Sequence, residues 1–220
     1  SISKIFLNYN MCYTMFSHDS TCYIKMIDVY HISIKNSKTN SFELYNSNCI
    51  ITGPNAAGKS TFIKSIVLNV LLSQTYGIAT AKSIKITPFY YINTQMNIPD
   101  IKGKQSLFEA EMLRCKKSID IIKELPISMK SLLIMDEVFS STNIIEGIAG
   151  AYAILNKISS FSNVCNFVTT HFLYLTRTPK YNKFKMDATI NDEGCISYSY
   201  KLKKGVSTQY IALELLKSQF

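Results

Sequence analysis

The sequence lacks the runs and compositions that mark several protein classes. Its 220 residues include only 8 Gly and 5 Pro, which excludes collagen-like and low-complexity chains. Hydrophobic residues make up 47% and charged residues 18%, a balance that excludes a disordered chain. The most apolar segment, residues 66–72, is interrupted by Asn69 and is far shorter than the roughly 20 residues of a membrane-spanning helix. The length suits one domain with a substantial core.

The cysteines lack the C-x-x-C spacing of zinc sites, so we do not expect bound zinc. They lie mostly in apolar surroundings, which predicts buried free thiols in an intracellular, reducing compartment. The six are Cys12, Cys22, Cys49, Cys115, Cys165 and Cys195. The first ten residues do not resemble a secretory signal, and because the chain begins with Ser1 we expect it to be a piece of a longer protein.

The charge balance is basic, with 24 Lys and Arg against 15 Asp and Glu and a net charge of +9. An excess of this size permits a polyanionic partner such as nucleic acid. Solvated surface lysines, or the codon bias of an AT-rich genome, explain it equally well.

Apolar periodicity predicts strands that alternate with helices. Strands are predicted at residues 22–35, 48–52, 83–87, 89–93, 131–135 and 163–169, with a hairpin formed by residues 184–190 and 195–203. Helices are predicted at residues 62–74, 106–125, 146–158 and 208–217. The order predicts an α/β fold with a mostly parallel sheet flanked by helices. We divide the chain into an N-terminal antiparallel β part, residues 1–47, and a main domain, residues 48–220.

The most specific motif fits G-x-x-x-x-G-K-[S/T] and lies between a predicted strand and a predicted helix. Its residues are Gly53, Pro54, Asn55, Ala56, Ala57, Gly58, Lys59, Ser60 and Thr61. Glycines let backbone N–H groups turn toward phosphate oxygens, and the helix N-terminus favours the same anions. We therefore predict an ATP site in which Lys59 reaches the β- and γ-phosphates and Ser60 binds Mg²⁺.

Two further candidates follow later strands. Asp136 and Glu137 end the apolar run of residues 132–135, where buried carboxylates are costly unless they serve a purpose. We predict that Asp136 holds Mg²⁺ and that Glu137 is the general base for the attacking water. His171 follows the strand that we expect beside Asp136. It is either a sensor of the γ-phosphate or a structural histidine at a strand end.

Several motifs in order resemble the ATPase domain of the MutS family of DNA mismatch-repair proteins. Residues 53–61 resemble its Walker A motif, G-P-N-M-G-G-K-S-T, and residues 133–137 resemble its Walker B motif. Residues 106–112, Ser-Leu-Phe-Glu-Ala-Glu-Met, are similar to its signature S-T-F-M-x-E-M. Thr170 and His171 match its T-H switch.

Weaker matches extend the resemblance to about residues 48–217. Thr142, Glu146 and Gly147 take the Thr, acidic and Gly places of a segment that follows Walker B, and residues 203–210 resemble the family's terminal segment. The pair Ala56-Ala57 is more similar to divergent MutS-like proteins, such as those of large DNA viruses. The compartment is then the cytoplasm, a viral factory or the nucleus.

The resemblance implies a P-loop NTPase of the ABC type that hydrolyses ATP with Mg²⁺ as a homodimer or heterodimer. Ser106 of one subunit would complete the γ-phosphate site of the other, and it would also cap its own helix. It further implies coupling of ATP to double-stranded DNA. Because the family's Phe-x-Glu mismatch wedge is absent, we expect DNA contact mainly through regions outside this chain.

Departures from the family pattern keep alternatives open. Gly103 lies three residues before Ser106 instead of two, and residues 138–141 lack the family's glycines, so we expect altered trans contacts and an altered hydrolysis rate. The alternatives are an ABC or SMC-type ATPase head, disfavoured because no L-S-G-G-Q string is present, and a non-hydrolysing module that dimerises with ATP. Tyr30, His31 and Phe42 are candidates for adenine stacking, with core packing as the other explanation.

Overall fold

The computed structural model describes residues 10–96, 107–190 and 196–209, which form an α/β fold with mixed sheets and three α-helices. The strands are β1 (Cys12–Phe16), β2 (Tyr23–Val29), β3 (Asn40–Tyr45), β4 (Asn48–Thr52), β5 (Ile78–Ala79), β6 (Ser83–Ile86), β7 (Phe89–Gln95), β8 (Lys130–Asp136), β9 (Val164–Thr169), β10 (Tyr181–Lys185), β11 (Ala188–Ile190), β12 (Ile196–Tyr198) and β13 (Lys203–Lys204). The helices are α1 (Lys59–Tyr76), α2 (Leu107–Glu124) and α3 (Ile144–Ile158).

The central sheet has six strands in the order β13-β10-β4-β9-β8-β7. Five of them, β10 to β7, run parallel, and β13 pairs antiparallel with β10 at one edge. Every residue of β4 and β9 is buried, as is typical of central strands of a parallel sheet that is covered on both faces. The predicted strands at residues 48–52, 131–135 and 163–169 are confirmed, and β9 lies beside β8 as expected.

A second sheet, in the order β3-β2-β6-β1-β5, contains both antiparallel and parallel pairs. Of residues 22–35, predicted as strand, only Tyr23–Val29 form β2. A bulge near its end, where Asp28 has a left-handed φ of 51°, interrupts the pairing with β3 between Met26 and Val29. Strands β5 and β6 follow α1 in sequence yet join β1–β3 in this sheet. The domain boundary after residue 47 stays a prediction.

The predicted terminal hairpin is partly wrong. Strand β11 does pair antiparallel with β12, but the segment expected to be one strand from Phe184 is divided after Lys185. Strand β10 lies parallel to β4 in the central sheet, and Met186 N–H then donates to the Thr52 carbonyl at 2.9 Å. The chain thus leaves β10 beside the end of β4 before it enters β11. The alternation of apolar residues does not predict this break between the two strands.

Helix bounds follow recognisable capping residues. Helix α1 ends at Tyr76 and is capped by Gly77, which has a φ of 70° and donates its N–H to the Ser73 carbonyl. Helix α3 begins two residues before the predicted Glu146, because the Asn143 side chain accepts from Ile145 N–H at 2.9 Å. The predicted helix at residues 208–217 lies almost wholly outside the described residues.

The core lies on both faces of the central sheet. Between this sheet, α1 and the second sheet, Phe42 packs edge-on against Phe62 and Phe167, with ring centroids 5.6 Å apart in each pair. The other face packs against α2 and α3 around buried residues such as Cys115 and Leu155. Successive residues of β4 alternate between the two clusters. Within the part of the chain that the structure describes, no helix combines the length and apolarity needed to span a membrane.

Candidate functional site

The loop that follows β4 leads directly into α1. It contains a 3-10 turn, Asn55–Ala57, followed by Gly58. The φ of Gly58 is 93°, a left-handed backbone conformation that glycine adopts without the steric cost of a Cβ atom. Ala57 N–H donates to the Pro54 carbonyl at 3.0 Å, and Ala57 is buried while Ala56 is exposed. The loop thus turns tightly around the N-terminus of a long helix, an arrangement that favours an anion.

At Gly53, at the start of the loop, a side chain would clash with neighbouring backbone. Its φ is 148°, and a Cβ there would lie 2.1 Å from the Met186 carbonyl oxygen. We expect Gly53→Ala to lower the free energy of unfolding by about 3 kcal/mol, because backbone on both sides must shift. Urea unfolding measures the loss. Gly77→Ala is the matched control: its φ is also left-handed, but no atom lies within 4 Å, so about 1 kcal/mol of strain is expected. Equal losses in the two variants would contradict the steric argument.

Lys59 is almost completely buried, with 1% of its surface exposed. Its Nζ donates to the carbonyl oxygens of Gly53 at 2.8 Å and Pro54 at 3.2 Å, and it lies 3.5 Å from Glu137 Oε1. Burial lowers the pKa of Lys59, and the nearby Glu137 carboxylate opposes that shift. The ammonium group is therefore held inside the loop by oxygen acceptors, which phosphate oxygens can replace.

Asp136, at the end of β8, is hydrogen-bonded to helix α1 and to the neighbouring strand β9. Its Oδ1 accepts from Ser60 Oγ at 3.0 Å and also from Thr169 Oγ1. Thr169 in turn receives the Glu137 N–H at 3.1 Å on both its carbonyl oxygen and its hydroxyl. Thr169 was not among the predicted site residues. Its signal is its position directly before the Thr170-His171 pair, at the end of the strand beside Asp136.

The segment after Glu137 is strained and anchored. Glu137 and Phe139 have left-handed φ values of 49° and 60°. Glu111 on α2 fixes this segment, because its Oε2 accepts from Phe139 N–H at 3.0 Å and from Ser141 Oγ at 3.3 Å. Burial raises the pKa of Glu111. Gly147 supports the same segment from α3, where a Cβ would lie 2.4 Å from the Phe139 carbonyl oxygen. Glu111 belongs to residues 106–112, which resemble the family signature, but it was not among the predicted site residues.

A cleft of about 410 Å³ lies at this edge of the central sheet, and we call it the Asp136 cleft. It is lined by Asn55, Ser60, Gln95, Leu107, Glu111, Asp136, Glu137, Val138 and Ser140. Four of the predicted site residues therefore meet in one place: Asn55, Ser60, Asp136 and Glu137. Ser106 lies outside the described residues.

His171 follows the end of β9, between β4 and β8, as the sequence predicted. Its side chain is exposed, and its ring packs against Phe172 with centroids 4.2 Å apart. It is not among the lining residues of the Asp136 cleft. The role of His171 as a phosphate sensor stays a prediction.

A second cavity, of about 340 Å³, lies on the other side of the loop, and we call it the Tyr200 cavity. It is lined by His31, Ile34, Asn36, Ser37, Lys38, Asn40, Gly58, Thr61, Phe62, Ser65, Met186 and Tyr200. Among the three adenine candidates, only His31 lines this cavity; Phe42 is in the core and Tyr30 lines a separate cavity. Burial, and then Lys64, lowers the pKa of His31. Tyr200 was not predicted.

Comparison with known proteins assigns the family. The family model described as MutS domain V matches residues 49–218. The chain belongs to the MutS family. The match begins within β4 and includes the loop, Asp136 and His171, so the predicted phosphate and metal site lies within the matched segment. The adenine candidates Tyr30, His31 and Phe42 precede it.

Individual MutS-family relatives agree with this assignment. The chain is 30% identical to DNA mismatch repair protein MSH3 of Saccharomyces cerevisiae over 210 residues, which cover 88% of the chain and 19% of that protein. It is 32% identical to DNA mismatch repair protein MutS of Persephonella marina over 173 residues, which cover 76% of the chain and 19% of that protein. It is 37% identical to DNA mismatch repair protein MutS of Pelotomaculum thermopropionicum over 128 residues, which cover 58% of the chain and 14% of that protein. The chain thus spans about a fifth or less of these relatives. They come from a yeast and two bacteria and give no support to the viral subgroup.

Proposed function

We propose that this MutS-family chain binds and hydrolyses ATP with Mg²⁺, as the ATPase domain of a DNA mismatch-repair protein. The observation that carries the proposal is the meeting of Lys59, Ser60, Asp136 and Glu137 where β4 and β8 end. A phosphate-binding loop, a hydroxyl and two carboxylates in one cleft are the groups that phosphoryl transfer requires. We also propose that the central sheet is that of an ABC-type P-loop NTPase.

The loop and Lys59 bind the phosphates of ATP. The backbone N–H groups near Gly58 are free of side-chain caps, so they suit the β- and γ-phosphate oxygens. Lys59 then exchanges its bonds to the Gly53 and Pro54 carbonyls for bonds to phosphate. The exchange keeps the buried ammonium group hydrogen-bonded throughout.

The metal site consists of Ser60 and Asp136. A hydroxyl and a carboxylate are hard oxygen donors of the kind that Mg²⁺ prefers, and their oxygens already lie 3.0 Å apart. Bound Mg²⁺ supplies positive charge that offsets the charge on the transferring phosphate. Thr169 holds Asp136 from the other side and so sets the orientation of its carboxylate.

Water activation falls to Glu137. Its side chain is 31% exposed, in contrast to the 2% of the Lys59 side chain, so it faces the cleft rather than the core. As a carboxylate it accepts the proton of the attacking water while the bond between the terminal phosphorus and its leaving oxygen breaks. His171 is proposed to sense the γ-phosphate, with the structural role as the alternative.

The proposed binding partners are inferred from membership of the MutS family. We propose a homodimer or heterodimer in which Ser106 acts in trans, and double-stranded DNA bound mainly by parts of the protein beyond this chain. Late in the chain, the side chains of Lys183 and Lys204 are exposed and could contact DNA phosphates, whereas Lys185 is paired with Asp187 at 2.7 Å. The compartment is proposed to be intracellular and reducing, because the five described cysteines are free.

Magnesium dependence provides the test. Fluorescent mant-ATP titrations should show tighter binding with Mg²⁺ than without it, and Asp136→Asn should remove at least about tenfold of that gain. Binding without Mg²⁺ should change little, since Lys59 and the loop remain. Asp120→Asn is the matched control, because Asp120 is a half-exposed carboxylate that pairs with Lys123 on the surface of α2. A wild-type chain without affinity for ATP would remove the proposal.

A further inference from the structure

Gln95, the last residue of β7, carries a buried polar atom without a partner. The residue is 3% exposed, and its Nε2 has no hydrogen-bond partner within residues 10–96, 107–190 and 196–209. Its Oε1 accepts from Cys115 Sγ at 3.2 Å. A buried amide N–H₂ left unpaired is rare and destabilising, so its retention needs a reason.

The contact with Cys115 determines which end of the amide is free. Burial raises the pKa of Cys115 to about 11, so the group is a thiol and acts as the donor. The oxygen of Gln95 is therefore the end that meets the thiol, and the N–H₂ group is the end that remains unpaired. In the opposite orientation the N–H₂ group would meet a thiol sulfur, which is only a weak acceptor, and the oxygen would lose the thiol as its donor.

The position of Gln95 connects this donor with the proposed reaction. In the pairing of β7 with β8, Gln95 lies opposite Met135, the residue before Asp136. Gln95 also lines the Asp136 cleft together with Glu111, Asp136 and Glu137. These three side chains are carboxylates, which accept hydrogen bonds. A neutral donor among them is suited to an oxygen that the carboxylates alone would repel.

We propose that Gln95 Nε2 donates a hydrogen bond to an oxygen bound in the Asp136 cleft at the γ-phosphate end of ATP. The oxygen belongs either to the γ-phosphate or to the attacking water. This inference rests on the proposed ATPase function. In either case the bond is fully made when charge develops during hydrolysis, and it also satisfies the buried amide.

Gln95→Met tests the proposal, because methionine has a similar length and shape without polar hydrogens. We expect the thermal unfolding temperature to stay the same or rise, since an unpaired donor is removed. We expect kcat for ATP to fall at least about tenfold, because one preorganised donor is worth about 10²–10³ in such sites. Ser131→Ala is the matched control: Ser131 Oγ is also buried and unpaired among the described residues, but it lies near the start of β8, away from the cleft. Its kcat should equal that of the wild type.

Binding assays distinguish the two sources of the oxygen. If Gln95 bonds the γ-phosphate, Gln95→Met weakens ATP binding while leaving ADP binding unchanged. If it bonds the water, kcat falls and the Kd values of both nucleotides are kept. Gln95→Asn withdraws the amide by one methylene and provides a second variant if the methionine variant does not fold; it should lose activity in the same way.

Two negative results have different meanings. Wild-type kcat and Kd values in a folded Gln95 variant overturn the role of Gln95 and leave the ATPase proposal standing. A wild-type chain that neither binds nor hydrolyses ATP overturns both.

Discussion

Glu137→Gln is expected to slow ATP hydrolysis at least about 100-fold while ATP binding is retained. The amide keeps the size of the carboxylate but does not take up the proton of the attacking water. Lys59 loses its charged neighbour at 3.5 Å but keeps its bonds to the Gly53 and Pro54 carbonyls, so the loop stays folded. Phosphate release gives the rate, and mant-ATP titration gives the affinity.

The same variant should trap the ATP-bound state, which makes dimerisation visible. Light scattering is expected to show twice the chain mass with ATP and Mg²⁺ and a single mass without them. Glu124→Gln, which alters an exposed carboxylate at the end of α2, is the control and should hydrolyse ATP at the wild-type rate. Unchanged hydrolysis by Glu137→Gln would show that another group is the base. A single mass with ATP would count against a composite site formed by this chain alone.

Lys59→Met is expected to weaken ATP binding about 100-fold, because hydrogen bonds from a charged donor are worth up to about 3 kcal/mol. The free energy of unfolding should nevertheless change by less than about 1 kcal/mol at pH 7. Removing a buried ammonium group relieves its desolvation, and this gain offsets the two lost hydrogen bonds to carbonyl oxygens. Nucleotide titration and urea unfolding measure the two effects separately.

The stability difference should also depend on pH. Because the folded-state pKa of Lys59 is lowered, burial destabilises the wild type fully below that folded-state pKa. The penalty disappears as pH rises from the lowered pKa to the ordinary value of 10.5. Over that pH interval the free energy of unfolding of the wild type should therefore rise relative to that of the methionine variant. Lys116→Met, at an exposed position on α2, should show neither the binding loss nor the pH dependence.

Features that depend on neighbours in sequence were predicted well. The strand at Asn48–Thr52, the loop and the start of α1 form one continuous segment, so the pattern of residues contains both the elements and their junction. Apolar runs likewise identified β8 and β9, because strands buried on both faces need no alternation. From two such strands the meeting of Ser60 with Asp136 follows, since parallel strands end at the same edge of a sheet.

Features that depend on register between distant strands were not predicted. Thr169 binds Asp136 only because β9 pairs with β8 without a shift, and Gln95 reaches the cleft only because β7 ends opposite Met135. The insertion of β10 beside β4 was missed for the same reason. Strand β3 was missed although its residues alternate between buried and exposed positions, because buried Asn40 conceals the pattern.

Thr52, at the junction of β4 and the loop, has consequences for how the chain acquires its structure. Its hydroxyl accepts from Ser207 N–H at 2.8 Å, and its carbonyl accepts from Met186 N–H at 2.9 Å. The ring of Tyr200 covers Gly58 in the same region. During synthesis the loop leaves the ribosome well before these residues do, so the nascent chain carries an unsupported loop until they have emerged. Such distant pairings close late and make folding slow.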